Sequence, residues 1–182
     1  MQSPSYLSAL DVVLDAARSD LLPAQVANSL NCQDFIVFSV PDDASDTAAC
    51  TERFGIPLDD GANTIVVRFK KDGGEHFAAV VALASTRIDV NGATRRALGA
   101  KRISFASRED AVAGSGMEYG GITAFGLPAH WPVLVDSAVM DRQSVVMGAG
   151  IRAAKLLLSP STLLVIPRVS VVALATQEPP AD

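Results

Sequence analysis

The sequence predicts an α+β domain with a mixed, strongly curved β-sheet surrounded by short helices. Short runs rich in β-forming residues are mixed along the chain with short helical patterns. Hydrophobic residues make up 49% of the 182 residues and charged residues 19%, so the chain can bury a large core. This length suits one domain, or one domain with a short extension.

Residues 1–33 are predicted to form a helical extension. Apolar residues from Tyr6 to Arg18 recur at three- and four-residue steps, which predicts a helix. A second short helix is expected from Leu22 to Leu30, with Pro23 in its first turn. This pair could cap the core, form a dimer face or extend a pocket, and we favour the capping role.

Residues 34–176 are expected to form the main domain and residues 177–182 a polar tail. Runs of β-forming residues between turn signals predict its strands. These strands are expected at 34–40, 63–70, 76–84, 101–105, 133–135, 144–147, 153–158 and 169–175. The Asp72-Gly73 pair between the second and third strands is typical of a β-hairpin.

Four helices are predicted within this domain from their end signals. They are expected at 42–54, at 89–98, after Ser107 and after Ser159. Gly55 and Gly99 stand where a helix C-terminal glycine is expected. Asp42, Asp43 and Ser45 are candidate N-caps for the first of these helices.

The stretch from Tyr119 to Pro128 carries the clearest functional signal. It opens with Gly120 and Gly121, and the apolar run 133–135 behind it ends in the carboxylate of Asp136. Glycine tolerates positive φ and lets a ligand approach the backbone closely. A flexible loop beside an anchored carboxylate predicts a pocket, and a plain glycine turn before a buried strand is the alternative.

Read with its surroundings, this stretch resembles the YbaK/ProX superfamily of aminoacyl-tRNA editing domains. That family's loop usually reads Gly-Gly-Val-Ser-Pro-Phe-Gly, and residues 120–126 here read Gly-Gly-Ile-Thr-Ala-Phe-Gly. Matching segments flank the loop in the family's order, at 64–67, 98–103, 106–110 and 146–150. The resemblance runs from about Thr47 to about Ala175, and it implies the same curved α+β fold.

Two positions depart from the family pattern. The family commonly has a lysine in Lys-Thr-Leu, where this chain has Asn63-Thr64-Ile65, and a related subgroup's Lys-Asn would instead align that lysine with Ala62. Either alignment removes the lysine, and Ala124 replaces the loop proline. Charge-assisted hydrogen bonds are roughly twice as strong as neutral ones. We therefore expect weak or altered activity, and a gain in rate from Asn63→Lys.

The resemblance implies a trans-editing deacylase that hydrolyses the ester between a wrong amino acid and the 3′ end of tRNA. Backbone N–H groups of the loop would stabilise the oxyanion, while Asp136 would bind the substrate ammonium, order the loop or simply cap neighbouring amides. The catalytic candidates are Asn63, Gly120, Gly121 and Asp136. The substrate-binding candidates are Thr64, Ile122, Thr123, Ala124, Phe125, His130, Gly148 and Gly150.

A catalytically inactive relative that binds a small ligand, a tRNA end or a partner protein is the alternative. The missing lysine and proline favour it, whereas the Gly-Gly loop and Asp136 favour the enzyme. His130 could act as a general base or be an ordinary surface histidine. An aminoacyl-tRNA synthetase or an elongation factor is a further expected partner, and the amino acid, the tRNA and the oligomeric state stay open.

Net charge and the few cysteines and histidines argue against several other classes of function. A net charge of −5 argues against broad nucleic-acid binding, but a local basic patch could dock one tRNA acceptor end. The basic residues form two groups, Arg68, Lys70 and Lys71, and Arg95, Arg96, Lys101 and Arg102, which could equally be ordinary solvated positions. Two cysteines and two histidines, well separated, argue against a zinc site, and no cofactor motif is present. With no long apolar run or signal peptide, we expect a cytoplasmic protein without membrane contact.

Overall fold

The structure, a computed structural model, describes residues 4–13 and 18–177. Short helices and strands alternate along the chain, so the predicted α+β class is confirmed. The strands are β1 (Asp11–Val12), β2 (Phe35–Ser39), β3 (Ala62–Lys71), β4 (Gly74–Leu83), β5 (Thr86–Ile88), β6 (Arg102–Phe105), β7 (Val133–Asp136), β8 (Val145–Gly148), β9 (Ala154–Leu158), β10 (Val169–Val172) and β11 (Ala175–Gln177). The α-helices are α1 (Arg18–Leu21), α2 (Ala24–Ser29), α3 (Thr47–Phe54), α4 (Arg95–Leu98), α5 (Arg108–Ser115) and α6 (Ser137–Met140).

A mixed five-stranded sheet, in the order β10-β7-β4-β3-β6, supports the site. β3 and β4 form the predicted hairpin, and its turn residues Asp72 and Gly73 both have the positive φ of a tight hairpin turn. β7 runs parallel to β4 and to β10. The C-terminal half of β4 and all of β7 are buried, which is typical of strands in parallel pairs.

A second, antiparallel sheet has the order β1-β2-β9-β8, and β5 pairs with β11 in a small third sheet. An isolated bridge between Gly61 and Val146 joins the start of β3 to β8. The two larger sheets therefore meet where the N-terminal end of β3 approaches β8 and β9. This meeting point places residues from both sheets around one cavity.

The N-terminal residues belong to the core. Val26 and Leu30, on and directly after α2, are fully buried in one apolar cluster with Phe125. Tyr6 and Leu10 are buried in a second cluster with Phe38 of β2. The described part of residues 1–33 thus covers apolar surface that the two larger sheets would otherwise expose to water.

Local signals set most helix ends correctly. Gly55 and Gly99 end α3 and α4 in the left-handed conformation, as expected. Ser107 caps α5 by accepting the N–H of Asp110 at 3.0 Å. For α3 the cap is Asp46, which accepts the N–H of Ala49 at 2.9 Å, rather than any of the three predicted residues before it.

The predicted helix from Tyr6 to Arg18 is wrong. Leu7–Ala9 form a short 3-10 turn, and β1 pairs with the edge of β2. Residues 14–17 lie outside the described residues. Among the described side chains of this stretch, Tyr6 and Leu10 are buried in the cluster with Phe38 of β2. The edge of β2 also offers the backbone groups of β1 hydrogen-bond partners.

Three further segments differ from the prediction in detail. The helix expected at 89–98 begins with π-helical turns at Val90–Thr94, and the helix after Ser159 is a 3-10 helix at Pro160–Val165. The strand expected at 169–175 is divided into β10 and β11. β5 and α6 were not predicted, since each has only three or four residues and carries little periodicity.

Candidate active site

A cavity of about 390 Å³ lies where β3, the glycine loop and the second sheet meet. Pockets that bind small molecules usually measure about 300–1,000 Å³. Its walls come from β3, from the end of β6, from the start of α3, from the glycine loop and from β8 and β9. The lining residues are Asp46, Thr47, Ala62, Asn63, Thr64, Ile65, Val66, Phe105, Ala106, Ala111, Tyr119, Gly120, Ile122, Gly148 and Lys155.

The β3 wall presents polar groups that have few partners. Asn63 accepts a hydrogen bond through Oδ1 from Thr47 Oγ1 at 2.9 Å, which turns its NH₂ group away from that contact. Thr64 Oγ1 is buried and has no hydrogen-bond partner among the described residues. Buried polar atoms are nearly always paired, so an unpaired one in a cavity wall indicates a position for a ligand or water.

The glycine loop packs directly on the turn that follows β8. Gly121 donates its N–H to the carbonyl of Glu118 at 2.9 Å, and its own carbonyl accepts the N–H of Gly150 at 2.7 Å. A Cβ at Gly121 would lie 2.4 Å from the backbone of Ile151, and one at Gly148 would lie 2.4 Å from the carbonyl oxygen of Gly121. These backbones therefore approach closely only because both positions are glycine.

Two backbone amides of the loop are left for a ligand. Gly120, with φ of +85°, and Ile122 both line the cavity, and neither N–H has a protein acceptor among the described residues. The N–H of Gly121 is occupied by Glu118, and that of Thr123 is directed to Met117 Sδ at 3.4 Å. Of the loop amides of Gly120, Gly121, Ile122 and Thr123, only those of Gly120 and Ile122 are therefore free.

The residues after Ile122 leave the cavity. Thr123, Ala124 and Phe125 are fully buried, and Ala124 and Phe125 belong to the main apolar cluster rather than to the cavity wall. They were expected to contact the substrate. Instead they anchor the loop, because an alanine and a phenylalanine gain more by burial in the core than at a half-exposed rim.

Asp136 and His130 also lie outside the cavity wall. Asp136 is buried on the far side of β4 from β3, and its Oδ1 accepts the N–H groups of Leu174 at 2.6 Å and Ala175 at 3.0 Å. Asp136 therefore caps neighbouring amides, which is one of the three roles considered for it from the sequence. His130 is exposed on the loop before β7. We expected both residues to face the same pocket as the glycine loop, and neither of them lines the cavity.

The two late glycines have different surroundings. Gly148 lines the cavity, whereas Gly150 does not. Gly150 has φ of +93°, and a Cβ there would meet Pro23 Cγ at 2.9 Å. Gly150 therefore allows the turn to pack on the segment before α2, and Gly148 supports the loop directly.

Sequence reasoning missed Lys155, a buried cation in the cavity wall. Only 6% of this residue is exposed, and its Nζ lies 3.4 Å from the carbonyl oxygen of Gly120. Burial lowers the pKa of Lys155, since the charged form loses hydration. A signal was present: a lysine at the second position of the otherwise apolar strand Ala154–Leu158 is unusual enough to single out.

Two aromatic residues at the cavity rim were also missed. Phe105, at the end of β6, is 57% exposed, and Tyr119 is 49% exposed. The guanidinium of Arg108 lies 4.7 Å from the centre of the Tyr119 ring. Exposed aromatic side chains beside a pocket are available to stack on a flat ligand group.

Among residues 4–13 and 18–177, no three His, Cys, Asp or Glu side chains group closely enough to hold a metal ion. No helix of this described part is long and apolar enough to span a membrane. The cavity wall carries backbone amides, the Asn63 carboxamide, hydroxyl groups, the carboxylate of Asp46 and the ammonium of Lys155.

This fold and this glycine loop are those of aminoacyl-tRNA editing domains. A profile described as the aminoacyl-tRNA editing domain matches residues 41–165, and the chain belongs to this family. The profile match confirms the family resemblance drawn from the loop and its flanking segments.

Solved structures agree with this fold. One, described as a candidate trans-editing enzyme for prolyl tRNA synthetase, shares 17% identity over 90% of this chain and 99% of its own, with a TM-score of 0.74. Another, described as a hypothetical protein, shares 20% identity over 84% of this chain and 99% of its own, also with a TM-score of 0.74. No curated protein sequence matches the chain.

Proposed function

We propose that this protein is a trans-editing deacylase that hydrolyses the ester of a mischarged aminoacyl-tRNA. The observation that carries the proposal is that Gly120 and Ile122, whose N–H groups have no acceptor among the described residues, line a cavity of about 390 Å³. Such a volume accommodates an aminoacyl ester with part of its ribose. Membership of the editing-domain family supports the substrate class.

The chemistry requires positioning more than strong acid or base groups. An aminoacyl ester is already activated, so a bound water can attack its carbonyl carbon once the carbonyl oxygen is held by donors. The N–H groups of Gly120 and Ile122 would donate to that oxygen as it becomes negative. The bond to the ribose oxygen then breaks, and this oxygen takes the proton that the water releases.

The β3 wall would hold the rest of the substrate. Asn63 and Thr64 both line the cavity, and the NH₂ group of Asn63 and the unpaired hydroxyl of Thr64 would bond the ribose hydroxyls or the amino acid. In the alignment that places Asn63 at the family lysine's position, this position keeps a donor without its charge. The size of the space between β3 and Ile122 would select the amino-acid side chain.

The rim and the adjoining strand suit a single-stranded nucleic-acid end. Phe105 and Tyr119 offer faces for a terminal base, and stacking on an aromatic side chain contributes about 1–3 kcal/mol per base. At the other end of β6, Arg102 lies opposite Lys70 of β3. About 10 Å of strand separates Arg102 from Phe105, at roughly 3.3 Å per residue. Phosphates bound at the basic end would lead the 3′ nucleotide to the cavity.

The test is a deacylation assay over a panel of mischarged tRNAs, beginning with tRNAPro species because a structural neighbour is described as editing for prolyl tRNA synthetase. Gly120→Ala should lose most activity, since strain at a φ of +85° would turn the free amide. Gly73→Ala is the matched control: its φ is +81°, and its Cβ would meet nothing within 4 Å. Flat time courses with every tRNA would overturn the proposal.

A second candidate is a binding module without catalysis. The observation that favours it is Asn63, which leaves this position neutral, together with the exposed position of His130 outside the cavity. This module would bind a non-hydrolysable 3′-aminoacyl amide of adenosine and leave every ester intact. In that case the module would hold the tRNA end for a partner protein, either a synthetase or an elongation factor.

A further inference from the structure

Lys155 is buried without a matching negative charge. It lies opposite Gly148 in β8 and opposite Phe38 in β2, inside a sheet whose neighbouring strand positions are apolar. No carboxylate of the described residues lies within salt-bridge distance of its Nζ, and its one hydrogen bond, to the carbonyl of Gly120, is long at 3.4 Å. An ammonium has three donors, so at least two are left for a ligand.

The surrounding charges do not satisfy this ammonium. Asp46 attracts it, but the Asp46 carboxylate already caps α3 through the N–H of Ala49. Cys50 of α3 is no counter-ion, because burial raises the pKa of its thiol and keeps it neutral. The guanidinium of Arg152, which donates to Ser45, repels it. Burying a charge under these conditions is costly, so a ligand oxygen is the missing partner.

We propose that Lys155 is the cationic catalytic residue of this cavity and donates to the ester carbonyl oxygen beside the N–H groups of Gly120 and Ile122. The proposal rests on the proposed deacylase function. Lys155 lines the same cavity as Asn63 and reaches the carbonyl of Gly120 from β9. The positive charge absent from position 63 is thereby supplied from another strand.

The main comparison uses Lys155→Met, which keeps an unbranched apolar stem, ends one atom shorter and removes the charge. We expect kcat to fall by about 100-fold, the usual effect of removing one oxyanion donor, and KM to rise, because the ammonium also holds the carbonyl oxygen of the bound substrate. Lys155→Arg should keep part of the activity. Arg53→Met is the charge-matched control, because Arg53 is exposed, 3.9 Å from Asp43 and outside the cavity, and its kcat should stay at the wild-type value.

The melting temperature of Lys155→Met distinguishes a catalytic role of Lys155 from a purely structural one. If Lys155 merely held the Gly120 carbonyl, Lys155→Met would lower the melting temperature together with the activity. We expect an equal or higher melting temperature, because removing a buried unpaired charge relieves its desolvation. A clear loss of stability that accounts for the loss of kcat would overturn the proposal.

Two further measurements test the position and the charge. Asn63→Lys in the Lys155→Met background should restore at least part of kcat, since it returns an ammonium to the same cavity. After subtraction of uncatalysed hydrolysis, the wild-type rate should fall at a lower pH than that of Lys155→Arg, because the lowered pKa of Lys155 removes its proton earlier as pH rises. Superimposable pH profiles would contradict the assignment.

A binding experiment keeps the inference distinct from the proposed function. The probe is the non-hydrolysable 3′-aminoacyl amide of adenosine, titrated calorimetrically into the wild type and Lys155→Met. Hydrolysis by the wild type with an unchanged kcat in Lys155→Met would refute the role of Lys155 and leave the deacylase standing. Lys155-dependent binding without any hydrolysis would refute the deacylase and retain Lys155 as the ligand's cation. Equal binding by both proteins, or none by either, would overturn the inference.

Discussion

Replacing Gly148 by alanine should displace the glycine loop and impair both stability and catalysis. The new Cβ would lie 2.4 Å from the carbonyl oxygen of Gly121 and 2.5 Å from that of Ile122. Both oxygens belong to the backbone, so neither can rotate away as a side chain would. Overpacking of this kind costs about 1–3 kcal/mol. For a chain of this length, that corresponds to a fall in melting temperature of about 2–12 °C.

The expected loss of activity is larger than the loss of stability. The free N–H groups of Gly120 and Ile122 flank the carbonyls that the new methyl group would push, so both donors should move. A displacement of 1 Å can reduce a rate by about 100-fold. The assay combines thermal unfolding with single-turnover deacylation at a temperature where both proteins are folded.

Gly61→Ala is the control for this comparison. Gly61 precedes β3 and, like Gly148, has no positive φ, but its Cβ would meet its nearest atoms at 3.3 to 3.4 Å. We expect a change below about 1 kcal/mol, because the neighbouring atoms need to move by only a few tenths of an ångström. A Gly148→Ala protein that matched Gly61→Ala in both melting temperature and rate would refute the argument that the loop depends on this contact.

Three other substitutions test the remaining assignments. Phe105→Ala should weaken tRNA binding by about 1–3 kcal/mol in a filter-binding titration, and unchanged affinity would exclude base stacking at this rim. Asp136→Ala should lower the free energy of unfolding in urea by about 1.5–3 kcal/mol, because the buried N–H of Leu174 and the half-buried N–H of Ala175 lose a charged acceptor. The rate per folded molecule should persist, and a selective loss of rate would restore the predicted site role of Asp136. His130→Ala should leave kcat within about twofold, since this exposed side chain lies outside the cavity, and a large fall would show that it acts as a base.

The sequence was most informative where local chemistry decides the structure. The Asp72-Gly73 turn and the alternating strands beside it predicted the hairpin, and Gly55 and Gly99 ended their helices as expected. In each case the deciding groups lie within a few residues of one another. The helix predicted from the spacing after Tyr6 was wrong because Tyr6 and Leu10 are buried in the cluster with Phe38 of β2 without a helix.

The site depended on contacts that no local pattern records. The two N–H groups accepted by Asp136 come from 38 and 39 residues further along the chain, so its capping role could not be read from the run 133–136. In the loop, the N–H groups of Gly121 and Thr123 are occupied and those of Gly120 and Ile122 are free. This alternation depends on the backbone conformation, which a glycine-rich sequence does not determine. Lys155 was the exception, because a lysine within an apolar strand was visible and was not interpreted.

The buried position of Cys50 makes the labelling rate of its thiol a measure of how often the cavity wall opens. Cys50 is only 2% exposed and lies behind the Lys155 wall, whereas Cys32 is exposed. Thiol reagents should therefore modify Cys32 at once and reach Cys50 only during transient separation of α3 from β9. In a Cys32→Ser background, the slow labelling of the remaining thiol would measure how often that wall opens, and a bound tRNA end should slow it further.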